Sequence, residues 1–182
     1  MQPIFTLQYA EYMVAEKVTK MFKDVSIFVP TSSQEKGIDL IIYRRAESEN
    51  RTVTIQVKSS RVHFDDKKYV NTLWLHRFVV QENADLFFLT GLYGRTPEEK
   101  DEITTSAIKW DMVILVFTNE EMKDFLENIK LKNTPEKYDS YFNFSFDDPK
   151  KIYLTRGNPK VKDVSHYLIE NRKDLIKEML GY

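Results

Sequence analysis

Two short stretches carry side chains suited to metal-assisted chemistry on a phosphodiester: Gly37-Ile38-Asp39 and Ile55-Gln56-Val57-Lys58-Ser59-Ser60. Each sits in a run rich in β-branched residues, Ile38 to Tyr43 and Thr52 to Lys58, with the polar segment Arg45 to Arg51 between them. The pattern predicts two strands joined by a turn. Residues two apart on a strand face the same way. Gln56 and Lys58 therefore project together, while Val53, Ile55 and Val57 fill the opposite face. Asp39 likewise points away from Ile38, Leu40 and Ile42. If the strands pair as a hairpin, a carboxylate, an amide oxygen and an ammonium group converge at one end of the sheet. Gly37 would let the backbone bend there or a ligand approach closely.

Such a set fits hydrolysis assisted by a hard divalent ion. Mg²⁺ prefers oxygen ligands and retains several waters, so one or two carboxylates and a carbonyl suffice. It polarises a phosphate and acidifies a bound water. A lysine alongside offsets charge developing on phosphorus.

A further carboxylate can come from the first helix. Thr6 to Phe22 reads as amphipathic, with Ala10, Met13, Val14, Val18, Met21 and Phe22 on one side. At 100° per residue from Ala10, Val18 lies at about 80°, Glu11 at about 100° and Phe22 at about 120°, whereas Glu16 falls at about 240°. Glu11 sits inside the apolar sector, where a carboxylate is costly without a partner. It is the better candidate to join the site.

Composition agrees. The chain has no cysteine and three histidines, at positions 63, 76 and 166 without metal-ligand spacing. Disulfides, thiolate zinc, iron–sulfur clusters and a cysteine nucleophile are excluded. With five glycines and neither phosphate-loop nor dinucleotide fingerprint, nucleotide-binding enzymes of those types are excluded too. The 27 basic against 28 acidic residues argue against a globally basic nucleic-acid binder, so any DNA contact must rest on local charge. Met1 to Phe5 shows no basic leader, and no apolar run approaches the roughly 20 residues of a membrane span. The expectation is a cytoplasmic protein with no membrane partner.

Other elements are predicted around the site. Ser26 to Val29, Ala84 to Leu89 and Met112 to Phe117 read as strands, the last two buried. Asn119 is placed to cap a following helix, with Glu120 and Glu121 in its first turn. Phe142, Phe144 and Phe146 alternate before the turn Asp147-Asp148-Pro149 and a strand from Lys151 to Thr155, a hairpin. Asp163 to Leu180 reads as one closing helix capped by Asp163, with Val164, Tyr167, Leu168, Leu175, Ile176 and Met179 on its apolar side. Charged, proline-containing loops are expected at 96–102 and 132–137. Length fits a single domain over residues 1–182, its core at about 6–118 with an elaboration at about 119–182.

Glu11, Asp39, Gln56 and Lys58, in this order and setting, resemble the PD-(D/E)XK nuclease superfamily, the fold of many restriction enzymes and archaeal Holliday-junction resolvases. Ala10-Glu11-Tyr12, Gly37-Ile38-Asp39 and Ile55-Gln56-Val57-Lys58-Ser59 are similar to the corresponding stretches of small bacterial members. The resemblance covers about Leu7 to Ser60 and continues loosely to Phe117. It implies an α/β fold with a restriction-endonuclease-like core: an N-terminal helix, then a mixed central β-sheet flanked by helices, here followed by a C-terminal hairpin and helix. It implies Asp39 as the main Mg²⁺ (or Mn²⁺) ligand, Gln56 in place of the second acidic ligand, the Val57 backbone carbonyl as a further ligand, Lys58 as the catalytic lysine and Glu11 as accessory carboxylate. The implied activity is endonucleolytic cleavage of DNA, with a homodimer as a possible assembly.

Isoleucine stands where the motif often has proline, and glutamine supplies a neutral oxygen, which lowers metal affinity. The alternative is a non-catalytic nucleic-acid-binding or protein-interaction module on the same scaffold. Ser59, Ser60 and Arg61 follow the lysine and are candidates for phosphate contact. Arg44, Arg45, Lys67, Lys68 and Arg77 could form a basic band, or be scattered solvated charge. Glu11 could instead be a structural acid paired with Lys58 or Arg61. Trp74, Trp110 and the aromatic run from Tyr138 to Phe146 are expected in the core. The histidines are assigned no role.

Overall fold

The computed structural model describes residues 9–30, 36–45, 49–64, 69, 71–76, 78–93, 111–129, 141–155 and 161–182, with 61–64 described by their backbone alone. Among them are three α-helices and a mixed β-sheet assembly. Helix α1 (Tyr9–Met21) leads into β1 (Val25–Phe28), β2 (Leu40–Arg44) and the 14-residue β3 (Arg51–Phe64). These three strands form an antiparallel meander with Leu40 opposite Ile55. β5 (Leu86–Tyr93) then pairs parallel to β3, and β6 (Asp111–Thr118) antiparallel to β5. The expected N-terminal helix and mixed sheet are present; residues 6–8, predicted to begin that helix, lie outside the described residues.

β3 extends six residues beyond its predicted end, and its far end leaves this sheet for another. Val62 to Phe64 pair antiparallel with β4 (Asn71–Leu75), which continues to β7 (Phe142–Phe146), β8 (Tyr153–Leu154) and β9 (Lys162–Asp163). The predicted hairpin is β7–β8, joined through Asp147-Asp148-Pro149, with Phe144 opposite Leu154.

The faces of the first sheet belong to different cores. Val53, Ile55 and Val57 pack with Leu40 and Ile42 under Ala10, Val14, Val18 and Phe22, so α1 covers this face. Phe87, Leu89, Leu115 and Phe117 meet Met122, Phe125 and Ile129 of α2 (Asn119–Ile129), together with Phe142, Phe144 and Phe146. The three phenylalanines are fully buried, as the alternation implied, but Asn143 and Ser145 between them are buried too.

Two helix assignments are corrected. α2 is capped by Thr118 rather than Asn119. Thr118 Oγ1 accepts the Glu121 N–H at 3.1 Å and Glu121 Oε2 accepts the Thr118 N–H at 2.9 Å, a reciprocal capping box. The Asn119 amide instead donates to the carbonyls of Gln81 and Ala84, both at 2.9 Å, which ties the β4–β5 connection to α2. The closing segment is not one helix. Two 3₁₀ turns, Ser165–Tyr167 and Ile169–Arg172, precede a short α3 (Lys173–Met179). Leu168 between the turns is extended (φ −56°, ψ 138°) and bridges to Leu115 on β6. Val164 and Leu168 enter the α2-side core, whereas Ile169 and Ile176 enter the α1-side core. One straight helix cannot serve both faces of a sheet, so the chain breaks as it rounds β6. Asp163 accepts the Ser165 N–H at 2.8 Å, anchoring a 3₁₀ turn instead of capping a long helix.

The expected loops at 96–102 and 132–137 lie outside the described residues. No helix among the described residues is long and apolar enough to cross a membrane.

Candidate functional site

β2 and β3 are adjacent, and their register brings Asp39 to the level of Gln56. The Asp39 N–H donates to the Ile55 carbonyl at 2.8 Å, and Asp39 Oδ2 accepts the Val57 N–H at 2.7 Å. A side-chain oxygen thus replaces a backbone carbonyl where β2 begins. This holds the carboxylate against the residue between Gln56 and Lys58.

Gln56 is opposite Phe87 and Lys58 opposite Leu89 in the parallel β3–β5 pairing. Paired residues share a face, and both partners belong to the α2-side core. Asp39 alternates with Leu40, which faces α1. The three predicted site residues therefore share the sheet face turned from α1.

Gln56 is 2% exposed, and its Oε1 has no hydrogen-bond partner among the described residues. An amide oxygen buried without a donor is costly. Lys58 is half-buried. It borders a cavity of about 360 Å³ whose wall includes Ser59, Ser60, Trp74, His76 and Phe78.

Two local devices build this end of the sheet. Gly37 has φ +89°, and a Cβ there would lie 2.3 Å from Gln81 Cγ. The β4–β5 connection crosses so closely that the turn into Asp39 requires glycine. Asn83 Nδ2 donates to the Lys36 carbonyl at 3.0 Å, tying the same connection to the same turn. At the start of β5, Asp85 Oδ2 accepts both the N–H and the hydroxyl of Thr54, at 2.8 and 2.9 Å, which sets the parallel register.

The other predicted residues are distributed differently. Glu11 is half-buried on α1, the helix covering the opposite face from Gln56 and Lys58. Arg44 lies five residues from Asp39 along β2, roughly 17 Å at ~3.3 Å per residue. Its guanidinium is held by Asp24 at 2.8 Å, by the Leu180 and Gly181 carbonyls at 3.1 and 2.8 Å, and over the Tyr182 ring at 3.9 Å. It closes the C-terminus onto β2. Arg45 follows it at that end and is exposed. Ser60 lines the Lys58 cavity, and Ser59 is exposed at its edge. The Arg61 backbone pairs with Leu92. Lys67, Lys68, Arg77 and Trp110 lie outside the described residues.

Trp74 was expected in the core and His76 was assigned no role; both line this cavity instead. Trp74 is half-buried and His76 exposed, with their rings stacked 5.6 Å apart at 13°. Two residues apart at the end of a strand, they had a common side in the sequence, but which space that side faced depended on β3 leaving its first sheet.

Among the described residues no three histidine or acidic side chains converge as a metal cluster. A cation at this site would draw on one carboxylate, one amide oxygen and backbone carbonyl oxygen, with water completing its shell. Gln56 Oε1, unpartnered among the described residues and on the same sheet face as Asp39, fits that donor set. Comparison with family models, with curated proteins and with solved structures finds no match for this chain.

Proposed function

We propose that the protein is a Mg²⁺- or Mn²⁺-dependent nuclease of the PD-(D/E)XK type that hydrolyses DNA phosphodiesters. The observation that carries this reading is the Asp39 carboxylate bonded to the Val57 N–H, on a strand adjacent to Gln56 and Lys58 and on their side of the sheet.

Asp39, Gln56 Oε1 and the Val57 carbonyl would hold the ion, which when bound supplies Lewis-acid polarisation of the phosphate and an acidified water. Asp39 supplies the negative charge, and its bond to Val57 fixes its orientation before any ligand arrives. Gln56 adds a neutral donor, which makes metal affinity modest. Lys58, two residues along β3 on the same sheet face as Gln56, would supply an ammonium that offsets charge on the phosphate oxygens.

The non-catalytic alternative draws on one observation: Asp39 already has a structural bond, so a sheet of this design has a use for the aspartate without metal. Cleavage separates the two. Supercoiled, linear and branched DNA incubated with Mg²⁺ should be cut by the wild type, and Lys58→Ala should lower the rate about 100-fold or more. Equal cleavage by both proteins would overturn the proposal. Calorimetry with Mn²⁺ should show binding that Asp39→Ala abolishes, and no binding with or without DNA would favour the module.

A further inference from the structure

The cavity beside Lys58 has one wall of unusual chemistry. Trp74 at the end of β4 and His76 just beyond it form an offset, nearly parallel stack, and Tyr141 meets the His76 ring edge-on at 5.0 Å and 82°. Tyr141 sits beside β7, whose Phe142 pairs with Leu75, so the imidazole is held from two strands. The stack is not closed off by the core, because His76 is exposed and Trp74 half-buried. Lys58 and Ser60 from β3 line the same space. At about 360 Å³ the space falls in the range of small-ligand clefts, roughly 300–1,000 Å³.

A planar π-surface beside a cation matches one nucleotide unit, with the ring stacked and the phosphate at the ammonium. Bases inside an intact duplex have both faces covered by their neighbours, so only an unpaired base presents a free face. We infer that this cavity receives an unpaired nucleobase against the Trp74–His76 stack, with its adjoining phosphate toward Lys58. The inference rests on the proposed phosphate-facing role of Lys58 and adds the substrate class to it: single-stranded or frayed ends of nucleic acid.

Tryptophan emission tests this in the full-length chain. The protein has two tryptophans, so Trp110→Phe leaves Trp74 as the reporter. Titration in EDTA, where no metal-dependent cleavage occurs, with an oligo-dT and an oligo-rU of equal length should quench Trp74 in at least one case, and the tighter partner identifies the preferred sugar. A blunt duplex of equal length should quench much less. His76→Ala should weaken the tighter single strand by about tenfold or more, the scale of losing one stacked base, while still unfolding in one cooperative thermal transition, because the ring is exposed. No quenching by either single strand, equal quenching by the duplex, or an unaltered affinity for His76→Ala would overturn the inference. Failure of the nuclease reading shows separately, as absence of Mg²⁺-dependent cleavage by a protein that still passes the emission test.

Discussion

Asp39 has two separable roles, and a pair of substitutions distinguishes them. Its Oδ2 accepts the Val57 N–H at 2.7 Å, and it is half-buried where β2 meets β3. Asp39→Ala removes that acceptor and leaves the Val57 N–H to whatever water can reach it. A hydrogen bond to a charged group contributes about 1.5–3 kcal/mol, and partial solvent access reduces this to about 1–2 kcal/mol. For a chain of this size, that corresponds to a melting temperature lower by roughly 2–8 °C. Asp39→Asn keeps an oxygen that can accept the same N–H while removing the charge a metal requires. Thermal melting in EDTA should therefore rank wild type and Asp39→Asn close together and Asp39→Ala clearly below. Mn²⁺ calorimetry should rank wild type above both variants. If Asp39→Asn melts as low as Asp39→Ala, the neutral acceptor does not sustain the ladder and the structural half of the argument fails. If Asp39→Asn retains Mn²⁺ binding, the metal half fails.

Gly37→Ala should destabilise the fold by about 1–2 kcal/mol from its positive φ alone, with displacement of Gln81 adding to it; a urea midpoint equal to that of the wild type would refute the close approach. The C-terminal clasp should give stability a pH dependence on both sides. The Tyr182 hydroxyl and then the Arg44 guanidinium hold the Asp24 carboxyl below its ordinary 3.8, so its contribution is present above pH 3.8 and is lost as pH falls further. The Tyr182 phenol is pushed up to about 12, chiefly by burial and then by its bond to Asp24, so its contribution is full below pH 10 and is lost between pH 10 and 12. Tyr93, also pushed up to about 12 by burial and then by Asp111, adds to that alkaline loss. Melting curves across pH should show Tyr182→Phe with a shallower alkaline decline than the wild type, and superimposable curves would refute the clasp.

The co-facial placement of Asp39, Gln56 and Lys58 was legible from residue order. Alternation on a strand is a local property, and the polar segment between two β-branched runs left a hairpin as the economical connection. The burial of Phe142, Phe144 and Phe146 was legible for the same reason. Glu11 shows where such reasoning stops. Helical geometry put it inside the apolar sector of α1, but nothing in its own spacing says which face of the sheet that helix covers. Arg44 shows it again, since four of its contacts come from Asp24 and from the last three residues of the chain. The closing helix was misread because its apolar pattern was divided between two cores on opposite faces.

By itself, then, the sequence determined the local geometry and the available chemistry: the strand faces, the turn at Gly37, an oxygen-donor set without cysteine, and one lysine among them. The tertiary structure alone decided which of these faces met. β3 outruns its own sheet to begin a second one, and this creates the space between Lys58 and the Trp74–His76 stack. The same long-range packing put α1 on the other face, tied Arg44 to the C-terminus and left the Gln56 oxygen buried without a partner among the described residues. The physical reason is range. Backbone periodicity acts over a few residues, whereas the choice of face and the closing of a cavity depend on which distant apolar surfaces exclude water together.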